Sequence, residues 1–152
     1  MQPTSYLAKI LASGPDAEGF LQGQLTQDVR KLAIGTPLHA GYCSPKGRLL
    51  AVMRLQRRAE GIELELHRSV FEATLKRLKM FVMRSIVTLS EVPAGAALDE
   101  TAWRHAQILA GVPVVYPATS DHFVPQMVNL DQLGGISFDK GCYTGQEIVA
   151  RL

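Results

Sequence analysis

A thiol, an ammonium and a carboxylate fall within eight residues near the end of this 152-residue chain, in Lys140-Gly141-Cys142-Tyr143-Thr144-Gly145-Gln146-Glu147. Cys142 is the group best suited to chemistry. Thr144-x-x-Glu147 has the spacing of a capping box, in which hydroxyl and carboxylate satisfy the first free N–H groups of a helix. The pattern predicts a helix from Gly145 through Leu152, with Cys142 just ahead of its N-terminus. Free N–H groups and the helix dipole favour negative charge there. Lys140, two residues away, adds positive charge, so an exposed Cys142 is expected to have thiolate character. It would then act as nucleophile, metal ligand or redox-sensitive group. The alternative is a small buried hydrophobe, with Thr144 and Glu147 serving only as caps. Cys43 lies on an apolar segment and is expected to pack. Two cysteines this far apart have no metal-ligand spacing and cannot supply a four-thiolate cluster site within one chain.

The remaining charge is segregated. The net charge is +2, yet Lys46 to Arg84 holds ten Lys/Arg against four Glu, and Ser85 to Asp139 one Arg against six acids. A basic segment of this kind suits a polyglutamate tail, a phosphate or RNA, or is simply a solvated face.

The elements that must position these groups follow from periodicity. Asp16 is a plausible N-cap for a helix carrying Phe20, Leu21, Leu25 and Val29, which Gly19 and Gly23 weaken. A strand, a Ser44-Pro45-Lys46-Gly47 turn, a second strand to about Gln56, a turn at Ala59 to Gly61 and a third strand come next. In the third strand Ile62, Leu64 and Leu66 alternate with Glu63 and Glu65. Ser69 to Glu72 has capping-box spacing and opens a helix with Phe71, Leu75, Leu78 and Val82 on one face. Ser85 to Val92 reads as a strand, Pro93 to Ala97 as a loop, and Asp99 to about Ala110 as a helix ended by Gly111 and Pro113. Phe123, Met127, Val128, Leu130, Leu133, Ile136 and Phe138 are expected to supply core. Elements alternate without a steady βαβ rhythm, so the fold class is α+β. Apolar runs are too short to span a bilayer, and the N-terminus lacks the basic-then-apolar pattern of a signal peptide. With two separated cysteines, a reducing cytoplasm is the expected compartment.

Several stretches resemble one family. "NLDQLGGISFDKGCYTGQEIVAR", from Asn129 to Arg151, looks like the defining motif of the YgfZ proteins, folate-binding relatives of the glycine-cleavage T-protein (aminomethyltransferase). "FLQGQLTQDV" at Phe20 to Val29, "SPKGRLLAVMRL" at Ser44 to Leu55 and "WRHAQILAGVP" at Trp103 to Pro113 resemble further family segments. The resemblance implies ferredoxin-like α+β parts of the aminomethyltransferase/YgfZ fold, binding tetrahydrofolate or a derivative. It implies an accessory role in iron–sulfur cluster assembly or repair, and thereby tRNA modification, in which the motif cysteine is important. Its implied partners are folate and iron–sulfur assembly proteins or client enzymes, with direct tRNA contact also open and no membrane. On the matching positions, Cys142 becomes the functional thiol. Gln22, Gln24, Lys46, Arg48, Lys140, Tyr143, Gln146 and Glu147 become the folate-binding residues, with Lys46 or Arg48 on the glutamate tail.

Departures from the pattern bound the transfer. Where T-proteins carry acidic residues after the K-G turn, this chain has Ala51 and Val52, which cannot carry charge or move a proton. Folate-dependent one-carbon transfer is therefore the alternative and not the leading expectation. Leu109 stands where a glutamate can bond the pterin, and it accepts no hydrogen bond. Family sequence is missing near 92–102, and the C-terminal β-barrel after "VAR" is absent, so residues 1–152 read as a partial folate-binding domain. A third reading, a tRNA-binding module on the basic helix around Lys76 to Lys79, lacks the interleaved aromatics of single-strand recognition.

Overall fold

The computed structural model describes residues 6–95 and 99–152. Among these residues five antiparallel strands form one sheet: β1 (Leu7–Ser13), β2 (Leu38–Cys43), β3 (Leu49–Arg58), β4 (Gly61–His67) and β5 (Thr88–Val92), in the order β2-β3-β4-β1-β5. Among the described residues four helices accompany it: α1 (Ala17–Gln22), α2 (Phe71–Met80), α3 (Glu100–Ala110) and the single turn α4 (Gln146–Val149). The expected α+β class is the one observed.

Alternation in the strands decides where the core lies. Ile62, Leu64 and Leu66 of β4, with Ile10, Met53 and Leu55, point to one face and are buried against Phe20 and Leu21 of α1 and Phe71 and Leu78 of α2. Leu75 and Val82 pack partly buried beside them, so the predicted apolar face of α2 is the one that faces the sheet. On the other face Lys9 lies 3.9 Å from both Glu63 and Glu65, opposite charges matched across neighbouring strands. α3 crosses that face, begins at Asp99, whose carboxylate accepts from Ala102 N at 3.0 Å, and ends at left-handed Gly111, as its sequence predicted. Of the expected Pro93 to Ala97 loop, residues 96 and 97 lie outside the described residues.

A β-bulge between β2 and β3 divides the interior. Tyr42 pairs with Ala51 but Cys43 pairs with Leu49, leaving Leu50 as the extra residue. The shift turns Cys43 and Leu49 away from the main core, into a second cluster with Val115, Leu130, Ile136 and Val149. The C-terminal segment is built over that cluster.

Four local expectations need correction. α1 stops at Gln22, and Asp16 makes no cap bond; its carboxylate instead accepts from Ile86 N at 2.6 Å. The Ser69 capping box does not form, because Ser69 Oγ lies 2.7 Å from His67 Nδ1 and a short 3-10 turn (Arg68–Val70) precedes α2. The box at Thr144 does not form either: α4 begins at Gln146 behind left-handed Gly145, with no side-chain cap. Phe123, Met127 and Phe138 are exposed; Leu130 and Ile136 supply the core in that region.

Candidate functional site at the C-terminal motif

Lys140 organises the site from inside. It is buried, and its Nζ donates to the carbonyls of Gln22 (2.7 Å), Leu25 (2.6 Å) and Gln27 (2.7 Å). An ammonium has three hydrogens, so all three are committed to the backbone that follows α1. Burial lowers its pKa to about 8, with Asp28 opposing that shift. The Tyr143 ring lies under the ammonium, 4.9 Å from Nζ to centroid, and burial raises the Tyr143 phenol to about 12.

The backbone that receives Lys140 is itself cross-braced. Gln22 Nε2 donates to Asp28 Oδ1 at 2.8 Å while its Oε1 accepts from Val29 N at 2.7 Å. Hydrogen bonds from Arg30, with Gln22 adding to them, hold the buried Asp28 carboxyl well below the usual carboxylate range. Thr26 Oγ1 donates to Gly135 O and accepts from Gly41 N, and Gln27 Nε2 donates to Gly134 O and His39 O. Thr144 N donates to Gly23 O at 3.3 Å. These polar side chains tie the N-terminal loop, β2 and the C-terminal motif together. Sequence reasoning missed Thr26, Gln27 and Asp28; the polar run Thr26-Gln27-Asp28 between Leu25 and Val29, all buried, was the available signal.

The third landmark closes on the same place. Gly47, in the Ser44 to Gly47 turn, and Gly145 both have positive φ (74° and 86°) and pack directly together. Ser44 Oγ donates to Asp121 Oδ1 at 2.7 Å, and Gln126 Nε2 donates to Val149 O at 2.7 Å.

The predicted site residues thus divide. Lys140 and Tyr143 are buried and Gln22 is half-buried, and the hydrogen-bonding groups of Lys140 and Gln22 are taken up within the chain. Lys140 also leaves no hydrogen for the Cys142 thiol, and a one-turn α4 is too short to supply the expected dipole. Cys142 is exposed, as are Lys46, Arg48 and Glu147. Neither Lys46 nor Arg48 makes a side-chain hydrogen bond or ion pair among the described residues. Gln24 Oε1 is buried without a partner, and Gln146 Nε2 donates weakly to Gly141 O at 3.2 Å. Cys43 is the opposite of Cys142: burial pushes its thiol up to about 12, and it packs as predicted. Ala51 is fully buried, and Leu109 projects outward, 74% exposed.

Cavities lie elsewhere. One of about 230 Å³ sits between α3 and the sheet, lined by Trp103, His39, Arg54, Glu65 and His67 among others. Another of about 390 Å³ opens beside the β-bulge, against α2. None of the predicted site residues lines either one. Among the described residues no group of three or more His, Cys, Asp or Glu is placed to hold a metal, and no helix is long and apolar enough to cross a membrane.

The chain is 32% identical to the tRNA-modifying protein YgfZ of Klebsiella pneumoniae (strain 342), over 91% of this chain and 63% of that protein. An uncharacterized protein of Haemophilus influenzae is 33% identical over 93% of this chain and 64% of its own length. The chain is a relative of the YgfZ proteins. It spans less than two thirds of the length of both relatives. The glycine cleavage system aminomethyltransferase T of Bartonella henselae superposes with a TM-score of 0.55 at 22% identity, over 58% of this chain and 25% of that one. That likeness places the YgfZ-type fold of this chain beside that of the T-protein. No family model matches the chain.

Proposed function

We propose that this chain is the thiol-presenting part of a folate-binding accessory protein that supports iron–sulfur enzymes and thereby tRNA modification. The observation that carries the reading is the contrast within four residues: Lys140 and Tyr143 are buried and fixed, while Cys142 between them is exposed. The relationship to tRNA-modifying YgfZ proteins supports the tRNA part of the proposal.

For tetrahydrofolate the fit is divided. Lys46 and Arg48 are exposed, unpaired cations beside the junction and suit the carboxylates of a glutamate tail through charge-assisted hydrogen bonds. The pterin has no enclosing cavity among the predicted residues, so no chemical step is assigned to the folate here. A one-carbon transfer is not favoured, because buried Ala51 and its neighbour Val52 put no carboxylate on that stretch of β3.

Tetrahydrofolate binding to three forms of the chain tests this division of labour. The Lys46→Ala, Arg48→Ala double variant is expected to lose about tenfold or more in affinity for a polyglutamylated folate, since charged hydrogen bonds contribute roughly 1.5–3 kcal/mol each. Cys142→Ala is expected to bind as the unaltered chain does. Unchanged affinity in the double variant removes the tail assignment.

A further inference from the structure

The cavity of about 390 Å³ beside the β-bulge has the chemistry of a binding site and belongs to none of the motifs above. Val70, just ahead of α2, and Ala73, Thr74 and Arg77 on one face of α2 line it at i, i+3, i+4 and i+7. Opposite them stand Tyr42 and the bulged Leu50, and the turn at Pro117 and Ser120 closes one side. Bulges often re-aim side chains next to functional sites.

Two polar groups here are unspent. Tyr42 is 1% exposed, yet its hydroxyl has no hydrogen-bond partner. Arg77 Nε is also buried without one. Burial pushes the Tyr42 phenol up, opposed by the Arg77 guanidinium beside it through its charge and a loose contact that falls short of strict hydrogen-bonding geometry. Both groups have a hydrogen to donate, and no carboxylate lines the cavity. Ser120 Oγ makes only a long 3.4 Å bond to Leu50 O and can turn toward a guest. Buried donors left unmet are costly, and an incoming acceptor removes that cost.

The volume exceeds that of a bare ion and falls in the range of small-molecule sites. Leu50, Val70 and Pro117 supply apolar wall. We infer that this cavity binds a small acid with an apolar body, its carboxylate or phosphate received by Arg77 and Tyr42 and its body lying against Leu50, Val70 and Pro117. The inference uses neither Cys142 nor the Lys46-Arg48 turn, so it stands or falls apart from the function proposed above.

Titration of the whole chain with benzoate and, separately, with phenyl phosphate at constant ionic strength tests it, with binding read by calorimetry or by amide chemical shifts. Saturable binding of either probe is expected, and the stronger of the two identifies the anion. Arg77→Gln is expected to weaken it about 10- to 100-fold, the loss of a charged hydrogen bond, and Tyr42→Phe about fivefold. Ala73→Phe, which fills the mouth of the cavity from the exposed side of α2 and leaves Arg77 in place, is expected to abolish it. The Lys46→Ala, Arg48→Ala double variant is expected to bind both probes normally. Failure of both probes to saturate the unaltered chain overturns the inference. So does undiminished binding by Arg77→Gln or by Ala73→Phe, whose folding is checked by thermal denaturation.

Discussion

A Cβ on Gly145 would stand 2.9 Å from the Cα of Gly47 and 2.7 Å from the carbonyl oxygen of Ser44, and a Cβ on Gly47 would stand 2.6 Å from Cβ of Ile148. Two motifs far apart in sequence therefore meet backbone to backbone, and each can do so only without a side chain at the point of contact. This contact holds the thiol-bearing segment against the sheet.

Gly145→Ala is expected to destabilise the chain by more than the roughly 1–2 kcal/mol that a left-handed backbone alone costs an L-residue. Gly141→Ala is the control, since nothing lies within 4 Å of a Cβ there; its change should stay within about 0.5 kcal/mol. Chemical denaturation of both variants measures the difference.

Lys140→Met removes the donor to three buried carbonyls and is expected to cost about 3 kcal/mol or more, in line with breaking a buried charged contact. The same residue sets a pH dependence. Its pKa is depressed from 10.5 to about 8 on folding, so between those values the folded chain holds fewer protons than the unfolded one. The contribution of Lys140 to stability therefore rises with pH from about 8 to 10.5, by at most about 1.4 kcal/mol per unit, and is level below about 8, where both states hold the proton. The gap between the unaltered chain and Lys140→Met, measured by denaturation across that window, should widen as pH rises. A constant gap contradicts the assignment.

Asp28 gives the opposite end of the pH scale. Its carboxyl is held low by Arg30 and Gln22, so it stabilises the fold above its unfolded pKa and that contribution is lost as acid protonates it in the folded chain. Asp28→Asn is expected to flatten the acid limb of the stability curve.

The two cysteines should react very differently. Cys142 is exposed; Cys43 is fully buried with its thiol pushed up to about 12. An aromatic disulfide reagent is expected to titrate one thiol in the native chain and two after unfolding, and Cys142→Ala should leave none titratable in the native state.

Much of this was legible in the chain. The strand alternation at Ile62, Leu64 and Leu66, the apolar face of α2 and the Asp99-to-Gly111 span of α3 are local patterns, and local patterns survive into the fold. Both capping boxes failed because tertiary partners outcompeted them: His67 takes the Ser69 hydroxyl, and the contact with Gly47 forces Gly145 into a left-handed turn where the helix would have begun. The three carbonyls that Lys140 meets were not legible, because sequence shows charge and not direction. Tyr42 and Arg77 were invisible as a pair for the same reason, since a one-residue bulge places them beside one cavity.

The central claim is that the fold builds a rigid staple from Lys140, Tyr143 and Gly145 in order to present the Cys142 thiol. Its most direct test is the level of iron–sulfur-dependent tRNA modification, measured by nucleoside mass spectrometry, in cells whose only copy of the protein carries Cys142→Ala. The account predicts a clear loss of modification with thermal stability and folate affinity unchanged. Full modification in those cells would contradict it and leave Cys142 as a surface residue without a role.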